Sequence, residues 1–413
     1  MKGIEFFFLL ENNLLQYLQI LVVIFIIYYI IFRKYFISIF DSFILLQLYS
    51  ALAASVVVFL YIQGFIPNTL FWQFICSQVA YIIGLFTYKA PQLKNYIIVK
   101  TYSTKNIFYL ISICSSIYII FMLYTYAVFG IPLFMDSRLE LYQNAKGLGI
   151  IGRICDVFQI ISFTAIFYFL KFYYTTKRIR LYFYTIIVFL ILTLFLNGSK
   201  SALMIPFNII FVLGFVAHSD FLTSLKKYNI LIISSVILFS IFVISVQNEG
   251  DSILYLLERL VAFGDIYYQS YVNDIIYEVE GSYVDFIFGP FLKTFRLYSS
   301  NVASIGNQVF QIMTDNYEIN AGPNPRLSVL ALVCFGFVGS VIFSYFIGVL
   351  ASYLRNVLSL KIRKNIFYLS VYVFIYIKIL PLEVDVSLSV NNFTSLLISV
   401  TFFYVMIYIL KKK

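Results

Sequence analysis

The sequence predicts an all-α polytopic membrane protein, a bundle of about eleven transmembrane helices with one large extracytoplasmic loop. Three observations support this fold class. Hydrophobic residues make up 62% of the 413 positions and charged residues only 12%, whereas about a quarter of the residues of a soluble domain are charged. Long apolar runs recur along the whole chain. Many of the 36 Tyr and 46 Phe residues lie at the ends of these runs, as in the aromatic belts of membrane proteins.

Each apolar run is close to the length of about 20 residues that crosses the hydrocarbon core of a bilayer. The first run is expected to direct membrane insertion, because no pattern of a cleaved signal peptide is evident before it. We treat residues 1–413 as a single membrane domain. The predicted spans are 14–32, 43–62, 70–88, 107–127, 154–172, 181–197, 202–218, 229–246, 328–350, 366–381 and 392–410.

Basic residues separate the two sides of the predicted bundle. Most of the 29 Lys and Arg residues fall in alternate connections, the first of which contains Arg33. Those connections contain only two acids, Asp41 and Asp220. Because cytoplasmic connections are enriched in Lys and Arg, the pattern predicts an N-terminus outside and a C-terminus in the cytoplasm. The net charge of +10 is thereby attributed to cytoplasmic loops, and no nucleic-acid partner is expected.

Three connections on the predicted outer side are candidates for function. They are the large loop 247–327, a second loop at 128–153 and the tight turn NGSKS at 197–201. Loops as long as the first are usually functional or disordered in compact proteins. Within it, the leucine spacing of residues 253–263 predicts an amphipathic helix that lies on the membrane or caps a cavity. A peripheral helix with only a packing role is the alternative.

Several kinds of chemistry lack the residues that they need. The single histidine, His218, falls at the cytoplasmic end of the seventh span, so it is not placed for a reaction outside the cell. The sequence contains no HExxH motif, no P-loop and no Gly-rich dinucleotide turn. The four cysteines lie in or beside apolar runs without CxxC spacing. We therefore expect no disulfide framework, no metal site, no cofactor and no nucleotide substrate.

Basic side chains on the outer side are unusual under the positive-inside rule and need an explanation. Arginine binds phosphate in a bidentate manner, and lysine binds it as a point charge. Lys200 lies in the turn 197–201 beside small residues and a helix N-terminus, which favours an anion, although snorkelling towards the headgroups is the alternative. Candidate ligands of a lipid-borne diphosphate are Arg138, Arg153, Lys200, Arg296 and Arg326.

Asp265 is the outer carboxylate that best fits a general base. It follows the segment 253–263 and precedes Tyr267, Tyr268 and Tyr271. Carboxylates beside aromatic rings suit a sugar, because the apolar face of the sugar stacks on a ring while its hydroxyls need acceptors. Tyr268 is therefore a candidate sugar-binding residue. The alternatives are a solvated carboxylate and an interfacial tyrosine belt.

A rigid turn, GPNPR at 322–326, precedes the ninth span. Its two prolines fix φ and force an extended entry into the helix. Arg326 is thereby held in place, and we expect Asn324 and Arg326 to bind substrate. A turn that serves only as a helix entry is the alternative.

Two features of the ninth and tenth spans stand out. The ninth carries Gly336, Gly339 and Gly348, which predict close packing against another helix. The tenth carries Lys378, an ionisable residue within an apolar run, and such residues mark functional sites by default. A structural ion pair with Glu383 is the alternative for Lys378.

Four stretches together carry a family resemblance. They are GIPLF at 130–134 followed by Arg138, NGSKSAL at 197–203, Arg259 with Gly264 and Asp265, and GPNPR at 322–326 leading to Phe335, Gly336 and Gly339. In order, side and spacing they resemble the O-antigen polymerase (Wzy-type) family, also called oligosaccharide repeat unit polymerases. The resemblance covers roughly residues 128–345. Family members often have Arg at the position of Lys200, and lysine keeps the charge but loses the bidentate geometry.

The resemblance implies a GT-C-like bundle in the bacterial cytoplasmic membrane and a glycosyltransferase that uses neither a nucleotide sugar nor a metal. Its substrates would be oligosaccharides linked to undecaprenyl diphosphate on the outer leaflet. The product would be O-antigen of lipopolysaccharide, capsule or another exopolysaccharide. The resemblance implies catalytic roles for Asp265, Arg259 and Lys200, and a chain-length regulator and a flippase as partners.

Two other functions stay open from the sequence. A flippase for lipid-linked oligosaccharides would have charges within several helices and no long outer loop. An O-antigen ligase shares the membrane plan, but that family has a functional histidine in its large outer loop, whereas His218 falls on the predicted cytoplasmic side.

Overall fold

A computed structural model describes residues 3–89, 104–135, 149–173, 176–197, 204–217, 221–222, 234, 258, 260–317, 322–361 and 366–411. Within these ranges all regular structure is helical, and no strand forms. The predicted all-α class is therefore confirmed for this part of the chain. The α-helices α1 to α15 are, in order, Gly3–Asn12, Leu14–Phe32, Ser42–Ile62, Asn68–Leu85, Thr104–Phe129, Gly149–Phe172, Lys177–Leu196, Met204–Val216, Asp265–Ser270, Gly289–Thr294, Ile305–Thr314, Leu327–Ser352, Leu358–Lys361, Ile366–Phe374 and Val386–Lys411.

Seven stretches of described helix are long and apolar enough to cross a membrane. This finding supports a multi-pass membrane protein. The predicted seventh and tenth spans correspond to the shorter apolar helices Met204–Val216 and Ile366–Ile379. The predicted span 229–246 lies outside the described residues apart from residue 234, so the count of eleven and the orientation stay predictions. The seven are Leu14–Phe32, Ser42–Ile62, Ile107–Phe134, Gly149–Phe172, Lys177–Leu196, Leu327–Lys361 and Val386–Val405.

The chain divides into two compact units. The first unit comprises Met1–Ala90, Gly250–Val357 and Ile379–Asn391. The second comprises Pro91–Glu249, Leu358–Lys378 and Asn392–Lys413. The first unit therefore holds the described parts of the long loop 247–327, together with α1 to α4 and α12.

Helices α4 and α12 pack closely in the first unit because glycines meet at their crossing. A Cβ at Gly348 would overlap the carbonyl of Tyr81, and one at Gly84 would overlap the carbonyl of Tyr345. The predicted packing role of Gly348 is thus confirmed. Gly336 has another role, because its φ of 67° and ψ of −170° break α12. These backbone angles favour glycine.

A buried ion pair ties α3 to the segment after α12. Asp41 caps α3 by accepting a hydrogen bond from the Phe43 backbone N–H, and it also binds Arg355 at 2.9 Å. The Arg355 guanidinium lies 4.3 Å from the centre of the Phe43 ring. Both charges are almost fully buried. Such a pair is costly to desolvate, and breaking it is destabilising. The pairing with Arg355 accounts for the presence of Asp41, one of the two acids in the predicted cytoplasmic connections.

Helix α6 is the centre of the second unit and packs against α5, α8 and α14. Polar side chains join it to two neighbours, since the Gln159 amide donates to the Tyr118 hydroxyl at 2.6 Å and that hydroxyl lies 2.6 Å from Thr193. Helix α5 ends where Gly130 takes a φ of 85°. A left-handed glycine commonly follows the last helical residue, so the GIPLF stretch closes this helix as predicted.

Candidate functional site

The turn 322–326 is anchored on both sides in the first unit. It has no regular secondary structure, and α12 begins at Leu327, whose N–H donates to the carbonyl of Glu383 at 3.0 Å. On the other side, the turn presses on the start of α11, where a Cβ at Gly306 would overlap the carbonyl of Pro323. Asn324 is exposed at the surface of the turn, whereas Arg326 is only 5% exposed. The predicted rigid presentation of Arg326 is therefore seen, but its side chain points into the protein.

The Arg326 guanidinium binds backbone carbonyls from two other segments. Its Nε–H donates to Phe263 at 3.0 Å, and an Nη2–H donates to Tyr49 at 3.3 Å. The rings of Tyr49 and Phe263 stack with centroids 4.2 Å apart. A Cβ at Gly264 would lie 2.8 Å from Val56, so only glycine lets the backbone approach α3 this closely. Arg326 thus fixes the turn Ala262–Gly264 against α3.

Asp265 follows this turn directly and begins α9. Burial raises the pKa of its carboxyl to about 6. Two weaker effects lower this pKa. They are the hydrogen bond that the Ile266 N–H donates to the carboxyl at 2.8 Å and the positive charge of Arg326. A carboxyl with a pKa near neutrality can both take up and release a proton under working conditions. The general-base role of Asp265 stays a prediction, with which this raised pKa is compatible.

The three tyrosines of α9 and its C-terminal end are buried and do not form a surface belt. The hydroxyl of Tyr267 lies 2.8 Å from Ser328 Oγ, and the hydroxyl of Tyr271 donates to Gln73 Oε1 at 2.9 Å. The ring of Tyr268 stacks on Phe6 of α1 with centroids 4.3 Å apart. One ring face of Tyr268 is therefore already covered, which restricts the sugar-stacking role predicted for it.

A cavity of about 370 Å³ lies beside the break in α12. Gln73 and Gly336 border it, together with apolar side chains such as Leu70, Ile276 and Leu332. The Gln73 amide also donates to the Ser328 carbonyl at 3.0 Å. The hydrogen-bonded network of α9 thus extends from the tyrosines to the wall of this cavity.

The remaining predicted site residues are placed as follows in the part of the chain that the structure describes. Arg296 belongs to the first unit but is exposed, with a left-handed φ of 57°. Arg153 belongs to the second unit, where its Nη1 lies 3.3 Å from Ser395 Oγ. Lys200, Arg138 and Arg259 lie outside the described residues, as does most of the predicted amphipathic helix 253–263.

Lys378 has a different charged neighbour from the one considered in the sequence. Within the second unit, Lys378 and Arg153 both interact electrostatically with Asp156. Asp156 and Arg153 lie on α6, and Lys378 follows α14. The second unit thus contains a group of three ionisable residues within or beside apolar helices.

Sequence reasoning gave no role of its own to Glu383, which is 2% exposed in the first unit. Burial raises the pKa of its carboxyl, while Ser50, the Arg326 charge, Gln78 and Gln47 lower it. The signal in the sequence was an acid directly after an apolar run and Pro381, since acids in such surroundings are expensive. Gln73 and Ser328 were also missed, because uncharged polar residues in apolar runs give a weaker signal.

Comparison with known proteins adds no relative. No protein-family model matches the sequence, and neither a curated protein nor a solved structure matches the chain. Among the described residues, no group of three or more His, Cys, Asp or Glu side chains could hold a metal ion.

Proposed function

We propose that this protein polymerises undecaprenyl-diphosphate-linked oligosaccharide repeat units into a surface polysaccharide on the outer leaflet of a bacterial cytoplasmic membrane. The observation that carries the proposal is the position of the Arg326 charge near Asp265. The two residues come from opposite ends of the large outer loop. The loop folds back so that a buried guanidinium fixes the turn that presents a carboxyl with a pKa of about 6. Perturbed carboxyls beside a specific charge are typical of reaction sites.

The proposed reaction needs one base and one stabilised leaving group. A hydroxyl at the non-reducing end of one lipid-linked unit attacks the anomeric carbon of the chain on a second carrier. The new carbon–oxygen bond forms, the bond to the diphosphate breaks, and the hydroxyl proton passes to Asp265. Undecaprenyl diphosphate leaves with the bonding electrons, so cations must balance its growing charge. Lys200, Arg138 and Arg259 are proposed for that task, and Arg326 acts as a positioning residue for Asp265.

Purified protein and a synthetic lipid-linked repeat unit provide the test. We expect a ladder of products on a gel and release of undecaprenyl diphosphate. Asp265→Asn should abolish the ladder, whereas Asp285→Asn, the matched change at a half-exposed carboxylate of the same loop, should leave it intact. Lys200→Ala should reduce the rate because a cation that balances the growing negative charge of the leaving group is lost. A ladder that persists in Asp265→Asn would remove this residue from the mechanism.

A second candidate, movement of the lipid-linked oligosaccharide between leaflets, is favoured by one observation. Asp156 interacts with Arg153 and Lys378 in or beside apolar helices of the second unit, and transporters carry such ionisable groups within the membrane. Vesicles that contain the protein and a labelled lipid-sugar separate the two candidates. Leaflet exchange without any ladder, lost in Asp156→Asn, would replace polymerisation by transport.

A further inference from the structure

A second polar cluster in the first unit surrounds Glu383 and has no part in the reaction proposed above. Gln47 and Ser50 of α3 supply one side of it, and the turn before α15 supplies Glu383. The Gln47 Nε2 lies 3.5 Å from Glu383 Oε2. Each of the three residues is no more than 3% exposed. This Gln47–Ser50–Glu383 cluster therefore lies out of contact with bulk water.

The cluster contains three oxygens with unfilled hydrogen-bonding capacity. Glu383 Oε1, Gln47 Oε1 and Ser50 Oγ are all buried, and none makes a hydrogen bond of good distance and angle among the described residues. Ser50, Gln47 and Gln78 are near enough to Glu383 to lower the pKa of its carboxyl, but their geometry leaves these three oxygens unfilled. Buried polar atoms are nearly always satisfied in native proteins, so a group of three unsatisfied oxygens needs an explanation. A bound cation satisfies carboxylate, amide and hydroxyl oxygens together.

Charge balance points in the same direction. Arg326 interacts electrostatically with both Asp265 and Glu383. One guanidinium balances one carboxylate, so two ionised carboxylates beside it would leave a negative charge in a buried place. Desolvated, uncompensated charge is unstable. One further positive charge would neutralise the group.

The other groups that face Glu383 are neutral at ordinary pH. Tyr28 of α2 and Tyr81 of α4 interact with its carboxylate, and the Tyr28 hydroxyl lies 3.5 Å from Gln78 Oε1. Tyr267 of α9 lies within electrostatic range as well. These side chains add oxygens and no positive charge. Together with one carboxylate they form a weakly charged oxygen site, which suits a monovalent ion better than a divalent one.

We infer that the Gln47–Ser50–Glu383 cluster binds one monovalent cation, either Na⁺ or a proton. The bound cation neutralises Glu383 beside the turn that holds α12, whose first N–H is bonded to the Glu383 carbonyl. Occupancy of the cluster therefore stabilises the fold around Arg326 without entering the proposed reaction. Because the inference concerns binding, its test does not require the proposed activity.

The pH dependence follows from the raised pKa of Glu383. The folded protein holds the proton more tightly than the unfolded chain does, so the added stability is present at low pH. It is lost as the pH rises from the ordinary pKa of a glutamate through the raised value. If Na⁺ also occupies the cluster, it competes with the proton, and its stabilising effect grows as the pH rises.

Thermal unfolding of the purified full-length protein tests the inference. Tm is measured in NaCl, KCl and N-methyl-D-glucamine chloride at equal ionic strength, on both sides of neutral pH. A Na⁺ site gives a rise in Tm that saturates with Na⁺ concentration and is strongest at high pH. A site that takes only a proton gives a fall in Tm as the pH rises, with no preference for Na⁺. Binding of radioactive sodium to the same samples gives the stoichiometry directly.

Two variants and one control decide the assignment. Glu383→Gln should remove both the Na⁺ dependence and this pH dependence of Tm, whereas Glu278→Gln, the same change at an exposed position of the first unit, should keep them. If Glu383→Gln fails to fold, Ser50→Ala keeps the carboxylate and should raise the Na⁺ concentration needed for half of the effect. The inference is overturned if Tm of the wild type depends neither on Na⁺ nor on pH in this way. It is also overturned if both dependences persist unchanged in Glu383→Gln, or if the Na⁺ dependence persists unchanged in Ser50→Ala.

Discussion

Asp265 and Asp285 belong to the same loop, residues 247–327, but their surroundings move their pKa values in opposite directions. Burial beside α3 raises the pKa of Asp265 to about 6. Asp285 is half-exposed, and hydrogen bonds from Ser282, Ser300 and Tyr298 lower the pKa of its carboxyl. The Ser282 hydroxyl donates to Asp285 Oδ2 at 2.6 Å, and the Tyr298 hydroxyl donates to Oδ1 at 2.9 Å.

A difference in burial also separates the two arginines of these regions. Arg326 is buried and bonded to carbonyls, whereas Arg296 is exposed on a left-handed residue. Charged groups in this loop therefore have two kinds of environment. In one, burial removes water from the group and the protein fixes its position. In the other, the group stays accessible to water.

The largest effect is expected for Arg326→Ala. It removes two hydrogen bonds from a buried guanidinium and releases the turn Ala262–Gly264 from α3. Loss of a buried, bonded charge costs about 3–5 kcal/mol, so Tm of the purified protein should fall steeply. Arg296→Ala is the control and should change Tm little. Equal effects of the two substitutions would abolish the distinction between buried and exposed arginines.

The second largest effect is expected for Gly306→Ala, which should lower the free energy of unfolding by about 2–3 kcal/mol. The new methyl group would overlap the carbonyl of Pro323 and push the turn 322–326 away from α11. Gly152→Ala, where a Cβ meets open space in α6, should be neutral or slightly stabilising. Thermal unfolding of both variants measures the difference, and a harmless Gly306→Ala would mean that the turn is not anchored there.

The two aspartates should give pH effects of opposite sign. The raised pKa of Asp265 adds stability at low pH that is lost as the pH rises from about 4 through about 6, on the order of 2 kcal/mol. The lowered pKa of Asp285 adds stability at higher pH that is lost as the pH falls through its folded value. Tm against pH for Asp265→Asn and Asp285→Asn separates these contributions. If the two substitutions changed the pH dependence of Tm in the same direction, the opposite pKa shifts of Asp265 and Asp285 would be contradicted.

Tyr271→Phe is expected to cost about 1–2 kcal/mol, because Gln73 Oε1 would lose its buried donor. Tyr277→Phe is the control, since Tyr277 is 64% exposed. Denaturation monitored by tryptophan fluorescence gives the free energy difference. A cost no larger than that of Tyr277→Phe would show that the network beside the cavity contributes little.

The smallest effect is expected for Arg296→Gly. Glycine accepts the φ of 57° without strain, but it also increases the entropy of the unfolded chain. The two terms nearly cancel, so the free energy of unfolding should change by less than about 0.5 kcal/mol. A large loss of stability here would show that the exposed region makes contacts through Arg296 that the comparison omits.

The sequence by itself determined the helical class, most of the apolar spans and the rigid entry into α12. These properties depend on short-range physics. Apolar length sets the spans, two prolines restrict the turn 322–326, and Gly348 permits a close helix crossing. The sequence could also select Asp265 and Arg326 as unusual charges for an outer loop.

The burial and the bonding partners of those charges follow from the tertiary structure alone. The pKa of Asp265 depends on its burial against α3, and the bonds of Arg326 join positions 63 and 277 residues apart along the chain. Glu383 meets Gln47 across a separation of 336 residues. No local pattern encodes such meetings, because desolvation and electrostatic attraction depend on distance in space. The residue types limit the available chemistry, and the packing of the helices sets the environment in which each group ionises.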